Sequence, residues 1–234
     1  RYRIKSVVGH GGFARIYLAE QIDLGRKVAI KVLNPGLRSD PGHGTAISER
    51  FQREAKLVAS LRDSHTVIMH DYGRTDAGLL YMVFEYIDGV TLSELVRSQG
   101  RLSPGRVAKI LHQCLSSLQE AHAVGILHRD IKPANIMVYE HVGRTDQVKV
   151  LDFGIAKSVL SEEDGPQSAD LTKAGMIVGT PRYMAPEQLR GDPPSTAIDV
   201  YGLGALLHRL LTGRTPQGDE RTASTRPSLL VRDA

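Results

Sequence analysis

Residues 128–135 read HRDIKPAN and follow directly on the apolar AVGIL. A His, an Arg, an Asp, a Lys and an Asn so close together can supply a base and a ligand for a metal ion. A solvated turn has the same composition. Taken alone, the stretch also suits an acid–base site centred on His128. Three further clusters carry chemistry of a related kind. VAIK ends on Lys31 inside an apolar run, where a lysine must snorkel or find an anion. Glu54 offers one: it pairs either with Lys31, aiming the ammonium at phosphate oxygens, or with Arg50 one helical turn back, a contact of a few tenths of a kcal/mol. DFG at 152–154 puts a carboxylate after the apolar VKVL and before a glycine. That suits Mg²⁺, which takes one or two carboxylates plus substrate phosphates, and it equally suits a plain turn. GHGGFARIY at 9–17 presents glycines that let a backbone approach phosphates, or that simply turn a hairpin. No Gly-Lys-Ser/Thr follows it and no helix opens from it, so it is neither a P-loop nor a dinucleotide fingerprint.

The elements that must carry these residues alternate in texture. YRIKSVV, ARIYLAE and KVAIKVL have strand patterning between glycine turns. The spacing of Ile47, Phe51, Ala55, Val58 and Leu61 predicts a helix over 47–61 that carries Glu54. TVIMHDYG and LLYMVFEYI return to strand, and FEYIDG, where the texture changes, is a candidate hinge. A helix is predicted over 103–125, capped by Ser103 with Pro104 in its first turn, with a stripe of Val107, Ile110, Leu111, Cys114, Leu115 and Leu118. QVKVLDFG is a short strand. STAIDVYGLGALLHRLLTG is a helix apolar nearly all round, expected to be central and buried, and stopped by Gly213. Residues 161–175 form a polar loop. The layout is α+β in two lobes, 1–86 and 87–234.

Composition bounds the function classes. The 234 residues are 41% hydrophobic and 24% charged, ordinary for a globular chain, with no Trp and 5% aromatics. The net charge of +4 is spread without a basic run interleaved with aromatics, so nucleic-acid binding has no support. Cys114 has no partner for a disulfide, which fits a reducing compartment, and is expected on a buried helix face. The nine histidines show no metal-ligand spacing. No apolar run reaches membrane-spanning length and no signal peptide leads the chain. It opens on Arg1, as expected of a domain cut from a longer polypeptide.

The glycine loop, VAIK, a helix Glu, HRDIKPAN, DFG and APE at 185–187 occur in that order, each on the fitting element. The set resembles the protein-kinase signature. HRDIKPAN and GTPRYMAPEQ look like the serine/threonine branch. DGVTLSELV and DFGIAKSV look most like bacterial kinases of eukaryotic type. The resemblance covers residues 1 to about 213 and implies a protein-kinase-like fold that transfers the ATP γ-phosphate to Ser or Thr hydroxyls of proteins, with Mg²⁺ or Mn²⁺.

It further implies that Gly9, Gly11 and Gly12, with Phe13 at the tip, cover the phosphates. Lys31, held by Glu54, contacts the α- and β-phosphates. Val8, Ile16 and Ala29 roof the adenine, Met137 floors it, Phe84 is the gatekeeper, and Glu85 and Ile87 offer hinge backbone groups. Asp130 receives or orients the hydroxyl proton, Lys132 steadies the transferring group, and Asn135 and Asp152 hold the metal. His128 and Phe153 become packing residues, and Asp199 becomes the acceptor for catalytic-loop amides. Arg129 and Lys157 form a basic pocket for a phosphorylated loop residue, with Thr172 favoured over Ser158, Ser161 and Ser168, while Thr180 helps favour Ser/Thr acceptors. ATP and Ser/Thr proteins are the implied partners, with self-association for autophosphorylation, in the cytoplasm.

The third loop glycine is replaced by Ala14, which cannot take positive φ cheaply, so a stiffer loop is expected. After Leu211 the chain is polar and without a helical stripe. The second lobe is therefore expected to be incomplete, with Glu187 lacking a partner and apolar surface exposed on the helix around 198–211. Two other classes compete with an active kinase. One is a docking module that uses the fold for binding only, against which the complete set Lys31, Glu54, Asp130, Asn135 and Asp152 argues. The other is a small-molecule phosphotransferase, against which GTPRYMAPE argues.

Overall fold

The structure, a computed structural model, describes residues 1–10, 14–34, 44–154 and 181–216. Among them the chain divides into two compact units: residues 1–62, 67–87 and 154 in the first, and 63–66, 88–153 and 181–216 in the second.

The first unit is built on five strands: β1 Tyr2–His10, β2 Ala14–Gln21, β3 Arg26–Leu33, β4 Met69–Arg74 and β5 Leu80–Glu85. They form one sheet in the order β1-β2-β3-β5-β4, its adjacent strands antiparallel. Alternation in the sequence becomes two faces. Ala19, Val28, Ile30 and Val83 make a buried cluster on one, with Tyr2, Val32 and Tyr81 against it. Directly paired residues of an antiparallel ladder share a face. The register Gly9–Ile16–Lys31–Met82–Tyr72 therefore runs across the other face, with Leu18–Ala29–Phe84–Met69 beside it. Helix α1, Gly44–Ser60, seats there: Phe51 meets Tyr72 edge-to-face at 6.3 Å, and Ala55 and Val58 are buried. The side chain of Ile47 lies outside what is described. Ala14 opens β2 opposite Leu33 in ordinary strand backbone, so the third loop position makes no demand for positive φ.

The second unit begins with β6 Gly89–Thr91 and α2 Leu92–Gln99, whose start is closed by a Thr91–Glu94 capping box. Helix α3 spans Pro104–Ala123. A 3-10 turn, Pro133–Asn135, leads into the hairpin β7 Ile136–His141 and β8 Arg144–Val150. The order β6-β7-β8 makes a small antiparallel sheet. A second 3-10 turn, Pro181–Tyr183, precedes α4 Pro186–Arg190 and α5 Ala197–Thr212.

The observed stripe of α3 differs from the expected one. Val107, Ile110, Cys114, Leu118 and Ala121 are buried, but Leu115 is exposed and Leu111 only half-buried. The inner face includes Gln113 and Ser117 instead, because both are satisfied there. Gln113 accepts from the Val148 N–H and donates to the Asp146 carbonyl, and the Ser117 hydroxyl bonds that of Thr66 at 2.7 Å. Cys114 is buried as expected, and loss of water pushes its thiol pKa up to about 12. Ser103 stands at the N-cap, but its hydroxyl makes no capping bond.

Helix α5 also departs from a helix buried all round. Ile198, Asp199, Gly202, Leu206 and Leu210 face inward, whereas Val200 is 62% exposed and Leu207 39%. The exposed apolar side expected around 198–211 is present. Among the described residues no helix is long and apolar enough to cross a membrane.

Candidate active site

Asp199 is the foundation of the site in the second unit. Its carboxylate, 1% exposed, accepts the amide of His128 at 2.8 Å, the amide of Arg129 at 2.8 Å and Nε2 of His122 at 2.8 Å. A buried carboxylate is tolerable only when its lone pairs are taken, and these three donors take them. The start of HRDIKPAN thus hangs by its main chain from α5. Gly202, a turn further along α5, allows the loop to lie close: a Cβ there would stand 2.9 Å from Cβ of Ile131.

His128 is fully buried and its two ring nitrogens are both used. Nδ1 accepts the Asp130 N–H at 3.2 Å, which leaves the proton on Nε2, and Nε2 donates to the Leu151 carbonyl at 2.7 Å. Burial drives its pKa below the ordinary imidazole value, against the opposing pull of Asp199. The ring tilts against Phe153 at 4.9 Å. A neutral imidazole with both nitrogens committed to protein groups is a strut, not a base.

Asp130 is the carboxylate that the loop presents. Lys132 Nζ donates to its Oδ2 at 2.7 Å. Asn135 Nδ2 donates to the same oxygen at 3.0 Å and to the Asp130 carbonyl at 2.9 Å. Those two bonds orient the Asn135 amide, so that its Oδ1 faces away from Asp130. The Asn135 carbonyl accepts the Leu151 N–H at 2.8 Å, which sets Asn135 beside the residue that precedes Asp152. Asp152 itself has left-handed backbone, φ 56°, as does Arg129, φ 61°. Each costs a non-glycine residue about 1–2 kcal/mol, and such strain is kept where the surroundings over-determine it. Met137, half-buried on β7, stands opposite Thr91 and Lys149.

In the first unit the sheet register collects Gly9, Ile16, Ala29, Lys31 and Phe84 on the face where α1, with half-buried Glu54, is seated. Val8 is exposed on β1. Glu85 ends β5 with its N–H on the Ile68 carbonyl at 2.9 Å and its carboxylate on the Ile68 N–H at 2.8 Å. The backbone amide of Glu85 is thus spent on Ile68. Ile87 is half-buried just beyond. Gly11, Gly12, Phe13, Lys157, Ser158, Ser161, Ser168, Thr172 and Thr180 lie outside the described residues.

Residues 2–230 match the family model described as "Protein kinase domain". The chain belongs to the protein kinase family. This kinase domain is 41% identical over 216 residues to "Serine/threonine-protein kinase pkn3" of Myxococcus xanthus, a match covering 92% of this chain and 38% of that protein. It is 39% identical over 219 residues to "Serine/threonine-protein kinase PknB" of Mycobacterium tuberculosis, covering 92% and 33%. The chain therefore spans well under half the length of these relatives. Among solved structures, Rad53 1-466 in complex with AMP-PNP superposes with a TM-score of 0.72 at 26% identity, over 98% of this chain and 52% of that one. The kinase fold expected from the motifs is the fold observed.

Two side chains with a hand on the HRDIKPAN loop of this kinase domain escaped the sequence reading. His122, in the last turn of α3, is the third donor to Asp199. Gln188 in α4 donates Nε2 to the Arg129 carbonyl at 3.2 Å. Neither belongs to a motif whose chemistry can be read from residue types, since each acts on an atom distant in sequence. The only hint of the first was a histidine, a possible hydrogen-bond donor, at the end of a predicted helix.

Proposed function

We propose that the chain transfers the γ-phosphate of ATP to serine and threonine hydroxyls of proteins. The observation that carries this reading is Asp130, its carboxylate steadied by Lys132 and Asn135 on a loop anchored to Asp199. The relatives named as serine/threonine-protein kinases support the acceptor class.

Asp130 receives or orients the proton of the acceptor hydroxyl. Phosphoryl transfer has a loose transition state and asks mainly for alignment and charge neutralisation, so this carboxylate needs no large pKa shift. Lys132, whose Nζ is on Asp130 Oδ2, steadies the transferring group. Lys31, which we pair with Glu54, binds the α- and β-phosphates. Val8, Gly9, Gly11, Gly12, Ile16 and Ala29, together with Met137, are the residues assigned to nucleotide binding. The Glu85 carbonyl and the Ile87 backbone meet the adenine edge.

The donor set fits a hard divalent ion. Among the described residues no group of three or more His, Cys, Asp or Glu gathers as a metal site. The pair left is one carboxylate, Asp152, and one amide oxygen, Asn135, which matches Mg²⁺ or Mn²⁺ completed by substrate phosphates and water. When bound, that ion neutralises phosphate charge and holds the phosphates in line.

Regulation by a phosphate on the activation loop, on Thr172 by preference, with Arg129 and Lys157 as its basic pocket, is part of the same proposal, as is a role for Thr180 beside Asp130. So are self-association for autophosphorylation and a cytoplasmic location, where ATP is supplied and a lone thiol stays reduced.

Incubation with labelled ATP, Mg²⁺ and a generic Ser/Thr protein substrate tests the reading, beside Asp130→Asn. Transfer by the wild type, reduced on the order of 10²-fold or more by the substitution, is expected. Equal transfer by both would remove the role of Asp130. ATP binding without transfer would leave a docking module.

A further inference from the structure

The side-chain amide of Gln188 is bonded at both ends. Oε1 accepts the Ala185 N–H at 3.0 Å, reaching back over the first turn of α4, while Nε2 donates to the Arg129 carbonyl at 3.2 Å. The network itself fixes the amide orientation, because the opposite one would face donor to donor and acceptor to acceptor.

Arg129 is the left-handed residue immediately before Asp130. Asp199 holds its N–H from one side and Gln188 its C=O from the other, at 2.8 and 3.2 Å. The peptide between Arg129 and Asp130 is thus gripped at its oxygen by Gln188 and at its nitrogen by Nδ1 of His128. The tilt of that peptide plane sets the direction in which the side chain of Asp130 leaves the loop. A left-handed conformation relaxes when its restraints are removed. Gln188 brings α4 to this peptide, as Asp199 brings α5 to the one before it.

We propose that Gln188 is a positioning residue: by holding the 129–130 peptide it sets the aim of Asp130 and ties the start of α4 to the catalytic loop. The proposal rests on the kinase reading above for its effect on turnover, and on the geometry alone for its effect on the loop.

Two variants of the chain separate this role from simple helix capping. Gln188→Glu keeps an acceptor for the Ala185 N–H but offers the Arg129 carbonyl no donor, and a carboxylate repels it. Gln188→Ala loses both bonds. For Gln188→Glu, kcat is expected to fall on the order of ten-fold, with KM for ATP changed less than about two-fold and the melting temperature nearly unchanged. Gln188→Ala is expected to show the same fall in kcat together with a lower melting temperature. Amide hydrogen exchange gives a readout independent of catalysis. In Gln188→Glu the amides of Arg129 and Asp130 are expected to exchange about five- to ten-fold faster. The amide of Leu189, bonded to the Ala185 carbonyl, should keep its protection. Wild-type kcat and wild-type exchange at 129–130 in Gln188→Glu would overturn the proposal and leave Gln188 a helix cap. If no form transferred phosphate, the kinase reading would fail, and the exchange rates would still decide whether Gln188 holds the loop.

Discussion

At the scale of the residue, His128 shows how far a motif can be read. Its position before Arg-Asp invites a role in proton transfer, and only its companions in the sequence argue otherwise. The structure supplies the physical reason: a buried ring with an N–H donor below Nδ1 and a carbonyl acceptor beyond Nε2. What the sequence could not show is that these partners are main-chain atoms, which carry no signature. Since its folded pKa lies below the unfolded value of about 6.5, the unfolded chain takes up this proton first as pH falls. The contribution of His128 to stability is therefore fully present above about pH 6.5 and is lost as pH drops toward the folded pKa. Nitrogen NMR of the imidazole is expected to show the Nε2–H tautomer and no titration near pH 6.5, and urea unfolding is expected to show stability declining below that pH. Titration of this ring at the ordinary value would remove the strut.

At the scale of the element, strands and long helices were legible because hydrophobic period reports which side of an element is wet. The five strands around VAIK, the helix bearing Glu54 and the long helix before HRDIKPAN follow from it. The stripe of α3 was misread at Leu115 because Gln113 and Ser117 pay for burial with hydrogen bonds, which period cannot register. The short β6 and α2 were passed over because a three-residue strand holds too little pattern. Two glycines of α5 make a paired test. Gly204 has open space around its missing Cβ, so Gly204→Ala is expected to stabilise the chain by about 0.5–1 kcal/mol, the ordinary gain in helix propensity. Gly202→Ala has the same propensity gain, but its Cβ would stand 2.9 Å from Ile131 Cβ and 3.4 Å from the Ile131 carbonyl. Overpacking of this kind costs about 1–3 kcal/mol, so a net loss is expected. Urea midpoints moving in opposite directions would bear this out, and a stabilised Gly202→Ala would refute the close contact.

At the scale of the whole molecule, the order of the motifs was enough to give the family, because each motif is short but their sequence along the chain is not accidental. The bond of Asp199 to the HRDIKPAN amides was expected from the motif set and is observed. The supports from His122 and Gln188 were not legible, since each comes from a separate element and acts on an atom distant in sequence. Ligand binding gives a global test of the proposed nucleotide and metal residues. A non-hydrolysable ATP analogue with Mg²⁺, at about a hundred times its Kd, should add about 2.7 kcal/mol. For a chain of this size that is roughly 5–10 °C in melting temperature. Removal of Mg²⁺ is expected to reduce the increment, and Asp152→Asn to make it insensitive to Mg²⁺. An increment in Asp152→Asn as magnesium-dependent as the wild type's would displace Asp152 from the metal site.

The grip of Asp199 has a consequence for how such a loop can change over time. Two of its three bonds are to amides, which every residue but proline possesses. These two anchors of the loop are therefore inherited through its main chain. Position 129 must tolerate a left-handed backbone, but neither of these two bonds prescribes the chemistry of its side chain. Under the proposed kinase reading, the response to a signal assigned to Arg129 and the aim of Asp130 are in this way separable, though the two residues are adjacent.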